Sequence, residues 1–382
     1  MPNRRHLLSV TGATLLAACA STPPLIDTGT ATLAALARSK GLRFGTALAG
    51  GSAPLRGALG DPTYCSLIQR ECGVLVHEND LKWQVLRPSP TAFDFVPADR
   101  ISAFASQSGM PMRGHTLLWQ DQRRFPRWAA AYDYGSRPAL TTARLLDEHI
   151  ATVVGRYTDV VDSWDVVNEA VIPETGGLRR TVFSDHMGTE ALLDAAFHAA
   201  RVSAPSAQLV YNDYMGWGAG QKAHCSGVLR LLEGFLARGV PIDALGIQGH
   251  LVAMPDDRDG QTVAMERDWR RFLDAVTGLG LQLVITEIDV NDRELPRHRA
   301  YRDSMAAETV RRYLTLMLDY PGTTDIVCWG LADRYNWLRY EPGYEQSNAA
   351  RPTPYDNNFV AKPLRNAIAS VIAAAPERLA RV

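Results

Sequence analysis

The residues best suited to chemistry in this sequence are carboxylates that end apolar runs. Residues 281–290, Leu-Gln-Leu-Val-Ile-Thr-Glu-Ile-Asp-Val, follow Gly278 and Gly280 and are rich in Val and Ile, which predicts a strand. Strand side chains alternate between faces, so Glu287 and Asp289 project to one side, in line with Leu283 and Ile285. A charge in a buried run is costly unless it is paired or used. A structural ion pair is one reading. The other gains weight from a second run, Trp-Asp-Val-Val-Asn-Glu-Ala at 164–170, which also ends a strand in a carboxylate, Glu169. Two facing carboxylates suit the cleavage of an acetal. One delivers a proton to the leaving oxygen and the other meets the oxocarbenium-like carbon. Other chemistries lack their parts. There is no Gly-x-Ser-x-Gly and no phosphate-binding Gly-rich loop. His115 and His250 are single histidines on separate strands, without His-x-His or His-Glu-x-x-His, so neither a metal site nor a cofactor is expected.

The elements that must position these groups alternate regularly. Strands are predicted near residues 42–47, 74–77, 112–116, 161–167, 208–211, 244–248, 281–288 and 326–329. Amphipathic helices are predicted at 61–72, 99–108, 141–156, 189–202, 221–238, 262–277, 297–318 and 362–375. Strand then helix implies a parallel sheet, and eight repeats imply closure into a single-domain (β/α)8 TIM barrel over 38–376. An open doubly wound sheet is the alternative, but no Gly-x-Gly-x-x-Gly follows the first strand.

A barrel carries its site where the strands end, and the polar residues gather there. The second strand runs into Glu78, Asn79 and Lys82, and the third into His115 and Trp119. Asn168 and Glu169 end the fourth, Tyr214 follows the fifth, Gln248 and His250 the sixth, Glu287 and Asp289 end the seventh, and Trp329 and Asp333 follow the eighth. Trp83, Trp119, Trp329 and Trp337 could offer flat faces to sugar rings, with core packing as the alternative for each. Strict alternation would send Asn168 and Glu169 to opposite faces. If both reach one ligand, the backbone there must be irregular.

Six segments at these places resemble the family-10 glycoside hydrolases, the endo-1,4-β-xylanases. They are Glu-Asn-Asp-Leu-Lys-Trp at 78–83, Arg-Gly-His-Thr-Leu-Leu-Trp at 113–119, Trp-Asp-Val-Val-Asn-Glu-Ala at 164–170, Gly-Ile-Gln-Gly-His at 246–250, Ile-Thr-Glu-Ile-Asp-Val at 285–290 and Trp-Gly-Leu-Ala-Asp at 329–333. The resemblance implies Glu169 as acid/base, Glu287 as nucleophile and Asn168 as a contact to the sugar 2-hydroxyl. It implies that His250 bonds the nucleophile and Asp289 holds that histidine. Gln248, His115 and Trp119 would line the same subsite. Glu78, Asn79 and Lys82 would grip the next sugar, Trp329 and Trp337 would cover it, and Tyr214 would join the substrate contacts. The implied reaction is retaining hydrolysis of internal bonds in xylan or xylo-oligosaccharides. The alternatives are another β-glycanase, a cellulase or β-mannanase, or a lipoprotein that only binds polysaccharide. The sequence departs from the pattern at Gln120, at Asn336 and in the 215–218 stretch, where Trp217 could build or block an aglycone subsite.

The chain is 382 residues long with a formal net charge of −1, so neither nucleic acid nor an anionic membrane is an expected partner. A monomer is expected. Membrane attachment is expected only through a lipid anchor. Arg4 and Arg5 precede a short apolar core, and Leu-Ala-Ala-Cys at 16–19 resembles a bacterial lipobox. Residues 1–19 are thus expected to be an export signal, whose paired arginines also resemble the twin-arginine kind, with Cys19 lipidated and 20–37 a tether. An ordinary cleaved signal is the alternative. Cys65 and Cys72 share a predicted helix at a spacing too long for a disulfide, and any other pairing among Cys65, Cys72, Cys225 and Cys328 is left open.

Overall fold

The computed structural model describes residues 31–51, 57–253, 261–341 and 350–378. The parallel strands are β1 Arg43–Leu48, β2 Val74–His77, β3 Met112–Trp119, β4 Val161–Asn168, β5 Gln208–Asp213, β6 Ala244–Ile247, β7 His250–Val252, β8 Gln282–Asn291 and β9 Thr323–Cys328. The sheet runs β6-β5-β4-β3-β2-β1-β9-β8, and β6 also pairs with β8, so it closes on itself. The short β7 pairs only with the outer end of β8. The result is an eight-staved (β/α)8 TIM barrel in one domain. The sequence reading has one sixth strand to residue 248. The structure ends β6 one residue earlier and adds β7 after it, where Gly249 takes φ 74° and turns the chain before it rejoins β8 through His250–Asp289 pairing.

Twelve helices are described: α1 Leu33–Ser39, α2 Pro62–Glu71, α3 Trp83–Leu86, α4 Val96–Gln107, α5 Arg127–Ala131, α6 Pro138–Arg156, α7 Val182–Met187, α8 Thr189–Ser203, α9 Lys222–Ala237, α10 Gln261–Gly278, α11 Arg299–Leu318 and α12 Pro363–Ala374. Local chemistry sets their ends. α2 opens with Pro62 after Asp61, whose carboxylate accepts from the amides of Thr63 (3.0 Å) and Tyr64 (3.2 Å). The strands are buried almost throughout; many of their side chains join the inner faces of the helices in one large apolar core, while Ala47, Val74, Val76, Val327 and Trp329 form a second cluster and Val210, Ala244 and Val284 a third.

One boundary needs correcting. The sequence reading ends a tether at residue 37, but α1 begins at Leu33, and Leu33 and Ala37 are fully buried in the core. Seven residues are too short to advertise an amphipathic face by periodicity. The expected signal and Cys19 lie outside the described residues. Cys65, Cys72, Cys225 and Cys328 are all free thiols.

Candidate active site

Glu169 sits one residue beyond β4, at φ 56°, a region that non-glycine residues rarely occupy. Just before it, β4 shifts register against both β3 and β5 between Asp165 and Val167. This is the irregular backbone that a shared role for Asn168 and Glu169 requires. It turns the Glu169 side chain back toward the barrel mouth, where two donors hold it. Trp119 Nε1 donates to Oε2 at 2.9 Å and Gln248 Nε2 to Oε1 at 2.9 Å. Burial pushes its pKa up, helped by the negative charges of Asp213 and Glu287, and the two donors only partly oppose this.

Glu287 lies near the end of β8 and is 4% exposed. Burial would raise its pKa too. Here the His250 hydrogen bond and the fields of His115, His250 and Lys82 win, and the carboxyl is held below the usual range. His250 reaches Glu287 Oε2 through Nε2 (3.3 Å) and Asp289 Oδ1 through Nδ1 (2.7 Å). Burial disfavours charge on this ring, but Asp289 and Glu287 outweigh it and push its pKa up to about 10. The ring is therefore an imidazolium at neutral pH and donates from both nitrogens. Asp289 also accepts from Trp337 Nε1 (2.7 Å) and Asn336 Nδ2 (3.2 Å).

A short amide bridge joins the two carboxylates. Asn212 Nδ2 donates to Glu287 Oε1 (2.8 Å) and to Asn168 Oδ1 (2.9 Å), and Gln248 Nε2 approaches the same Asn168 oxygen at 3.5 Å while bonding Glu169. Thr286 Oγ1 donates to Asn212 Oδ1 at 2.7 Å, which fixes the amide's orientation. Space for it comes from Gly246, where a Cβ would stand 2.4 Å from Asn212 Oδ1.

The neighbouring floor is cationic and aromatic. Lys82 Nζ donates to Asn79 Oδ1 (2.9 Å), and Asn79 Nδ2 contacts Glu78 Oε1 at 3.3 Å. The ammonium lies 4.6 Å from the Trp119 ring centroid and 5.7 Å from that of Trp329. Burial pushes the Glu78 carboxyl up and the Lys82 ammonium down. His115 Nδ1 is 3.0 Å from Asp165 Oδ2, and its ring meets Trp329 edge-on. Tyr214 accepts from Arg179 at 2.7 Å and is half-buried near Glu169.

The sequence profile of Glycosyl hydrolase family 10 matches residues 32–371, nearly the whole folded chain. The chain belongs to that family. It is 31% identical over 305 residues to endo-1,4-beta-xylanase B of Thermotoga neapolitana, covering 80% of this chain and 82% of that one. It is 34% identical over 292 residues to beta-1,4-xylanase of Dictyoglomus thermophilum, covering 73% and 76%. Among solved structures it is similar to xylanase 10B from Thermotoga petrophila RKU-1 in complex with xylobiose, at a TM-score of 0.77 and 29% identity over 91% of this chain and 98% of that one.

Within this family 10 enzyme, two expected cleft residues lie elsewhere. Trp83 is 4% exposed and stacks on His149 with centroids 3.9 Å apart, flanked by Phe125 and Phe183. It starts α3, and the helix turns it into the core, an orientation that distance from a strand end does not reveal. Asp333 accepts from Lys362 Nζ (2.8 Å) and from Thr353 (2.9 Å to Oγ1), so it fastens the C-terminal segment. Among the departures, Trp217 packs edge-on against Tyr313, Gln120 is buried and donates to Arg179 O at 3.2 Å, and Asn336 joins the Asp289 cluster. Asn212 is the residue that sequence reasoning passed over. The sequence places Asn212 at the end of the fifth strand, but the partners that a buried amide needs come only from neighbouring strands.

Proposed function

We propose that this family 10 glycosyl hydrolase is a retaining endo-1,4-β-xylanase acting through Glu169 and Glu287. The observation that carries the reading is that one hydrogen-bonded frame holds both carboxyls and biases them oppositely, Glu169 toward its protonated form and Glu287 toward its charged form. Double displacement needs that division. Glu287 attacks the anomeric carbon while Glu169 delivers its proton to the leaving oxygen. The ester formed on Glu287 removes its negative charge, which eases ionisation of Glu169. Glu169 then takes a proton from the water that cleaves the ester. His250, held by Asp289, supports the charge on Glu287. Asn168 is assigned to the sugar 2-hydroxyl, and His115, Trp119 and Gln248 to the same subsite. Glu78, Asn79 and Lys82 are assigned to the next sugar, under Trp329 and Trp337, with Tyr214 a further substrate contact. A protein that only binds polysaccharide would have no use for opposed protonation.

Xylan as the substrate is supported by the xylanase names of the relatives and by the xylobiose in the similar structure. The deciding experiment is product analysis on xylan and an aryl xylobioside, with anomeric configuration followed by NMR. Retention is expected, with a carboxyl separation of about 5–5.5 Å in a crystal structure. Glu169→Gln and Glu287→Gln are expected to cost at least about 100-fold in kcat on xylan. An inverted product, or full activity in either variant, would overturn the assignment. We further propose export and lipidation at Cys19. Palmitate labelling that survives Cys19→Ala would refute it.

A further inference from the structure

Beside Trp119 the wall of the site carries more positive charge than cleavage of a neutral chain requires. Arg123 and Arg124 end the single 3-10 turn that follows β3, and Arg179 and Arg180 come from the segment after β4. Three of these four have partners. Arg123 pairs with Asp121 at 2.7 Å and Arg180 with Asp185 at 2.7 Å, and Arg179 donates to the Tyr214 hydroxyl at 2.7 Å. Arg124 differs. It is exposed, its guanidinium lies 4.7 Å from the Trp119 ring centroid, and among the described residues no carboxylate pairs with it. Trp119 in turn bonds Glu169. Arg124 thus sits one side chain away from the scissile position, and its field reaches Lys82.

A guanidinium laid on an indole keeps its edge donors uncommitted. Contact with the ring also restricts the side chain, so less freedom is lost when it binds. The group such an edge matches best is a carboxylate, held by two parallel N–H···O bonds. A xylan backbone has no carboxylate, but acidic side groups on it do. We propose that Arg124 is a specificity-determining residue that receives the carboxylate of a uronosyl branch on the β-1,4-xylan chain. The inference rests on the reading of this cleft as a xylan site.

The test compares kcat/KM on a linear xylo-oligosaccharide with that on the same backbone bearing one glucuronosyl branch. The wild type, Arg124→Gln and Arg124→Lys are measured at about 20 and about 500 mM salt. Taking the ratio of the two substrates cancels any general effect through Trp119. The branched-to-linear ratio is expected to fall about two- to fivefold in Arg124→Gln, the range of an exposed charge pair, and less in Arg124→Lys. In the wild type it is expected to fall with added salt, and in Arg124→Gln to be insensitive to it. An active wild type whose ratio responds neither to Arg124→Gln nor to salt overturns this proposal alone, and Arg124 then only braces Trp119. A wild type inactive on both substrates overturns the xylanase reading and this one with it.

Discussion

Glu169 and Glu287 begin as the same chemical group and are driven apart by single neighbours. Both are buried in the same mouth, so burial raises both. The difference is that Glu287 has a cationic ring on Oε2 and Glu169 has two neutral N–H donors. This separates the two limbs of the pH profile. The acid limb of kcat/KM follows Glu287, which must be ionised, and the alkaline limb follows Glu169, which must be protonated. Replacing His250 with Asn removes the charge that depresses the Glu287 pKa. That pKa rises, so the acid limb is expected to move to higher pH, with kcat down about 100-fold. Replacing Trp119 with Phe removes a donor that favours the charged form of Glu169. The Glu169 pKa rises further, and the alkaline limb is expected to move to higher pH while the acid limb stays. Initial rates on an aryl xylobioside across pH check both, and a limb moving the other way in either variant would contradict the assignment. These residues were legible in the sequence because each stands at a strand end in a distinctive segment. Asn212 was not singled out, because its role is to bridge other side chains, and only the closed barrel brings β4, β5 and β8 together.

Among the elements, the segment after β9 does more than cover the site. The 3-10 turn Trp337–Tyr340 is capped by Asn336, whose Oδ1 accepts from the Leu338 amide at 2.9 Å. The same side chain donates to Trp329 O at 2.7 Å and to Asp289. The turn therefore presents the Trp337 ring and, through Nε1, also anchors the carboxylate that holds His250. Two variants separate these roles. Trp337→Phe keeps most of the ring and loses the N–H, so a loss of kcat of about tenfold or more with little change in KM is expected, the effect of one charged hydrogen bond. Trp337→Ala also loses the ring face and should raise KM about tenfold. Steady-state kinetics on xylo-oligosaccharides test the split, and equal KM values in the two variants would deny the ring its part in binding. The strands and long helices were readable from apolar patterning, to within a few residues at most ends. The 3-10 turns and the short β7 after Gly249 were not, because they carry no periodicity and are set by side-chain caps and a single backbone angle. Trp83 shows the same limit from the other side, since its place in sequence matches the cleft tryptophans and only α3 decides where the ring points.

At the scale of the whole molecule, the closed sheet needs its two chain ends tied down, and Glu71 does this. Its Oε2 accepts from the Leu33 amide (3.0 Å) and from Arg365 (3.2 Å), while Arg365 also donates to Ala31 O at 2.6 Å. One carboxylate at the end of α2 thereby joins α1 to α12. The side chains of Glu71 and Arg365 are both buried. Removing the charge of Glu71 leaves a buried guanidinium without its counterion, which costs about 3 kcal/mol. Burial raises the Glu71 pKa, but the Leu33 amide and Arg365 outweigh that and lower it from 4.5. A depressed carboxylate pKa stabilises the fold above its unfolded value, and that contribution disappears as pH falls through the folded one. Urea unfolding of Glu71→Gln is therefore expected to show a deficit of about 3 kcal/mol at pH 7 that narrows steadily below about pH 4.5. A chain begun at residue 41, compared with one begun at residue 31, loses the buried Leu33 and Ala37 together with the Glu71 contact, and should be weaker by at least about 3 kcal/mol. A deficit in Glu71→Gln that is the same at pH 7 and pH 4 would mean that packing of α1, rather than the charge at its base, closes this end of the barrel.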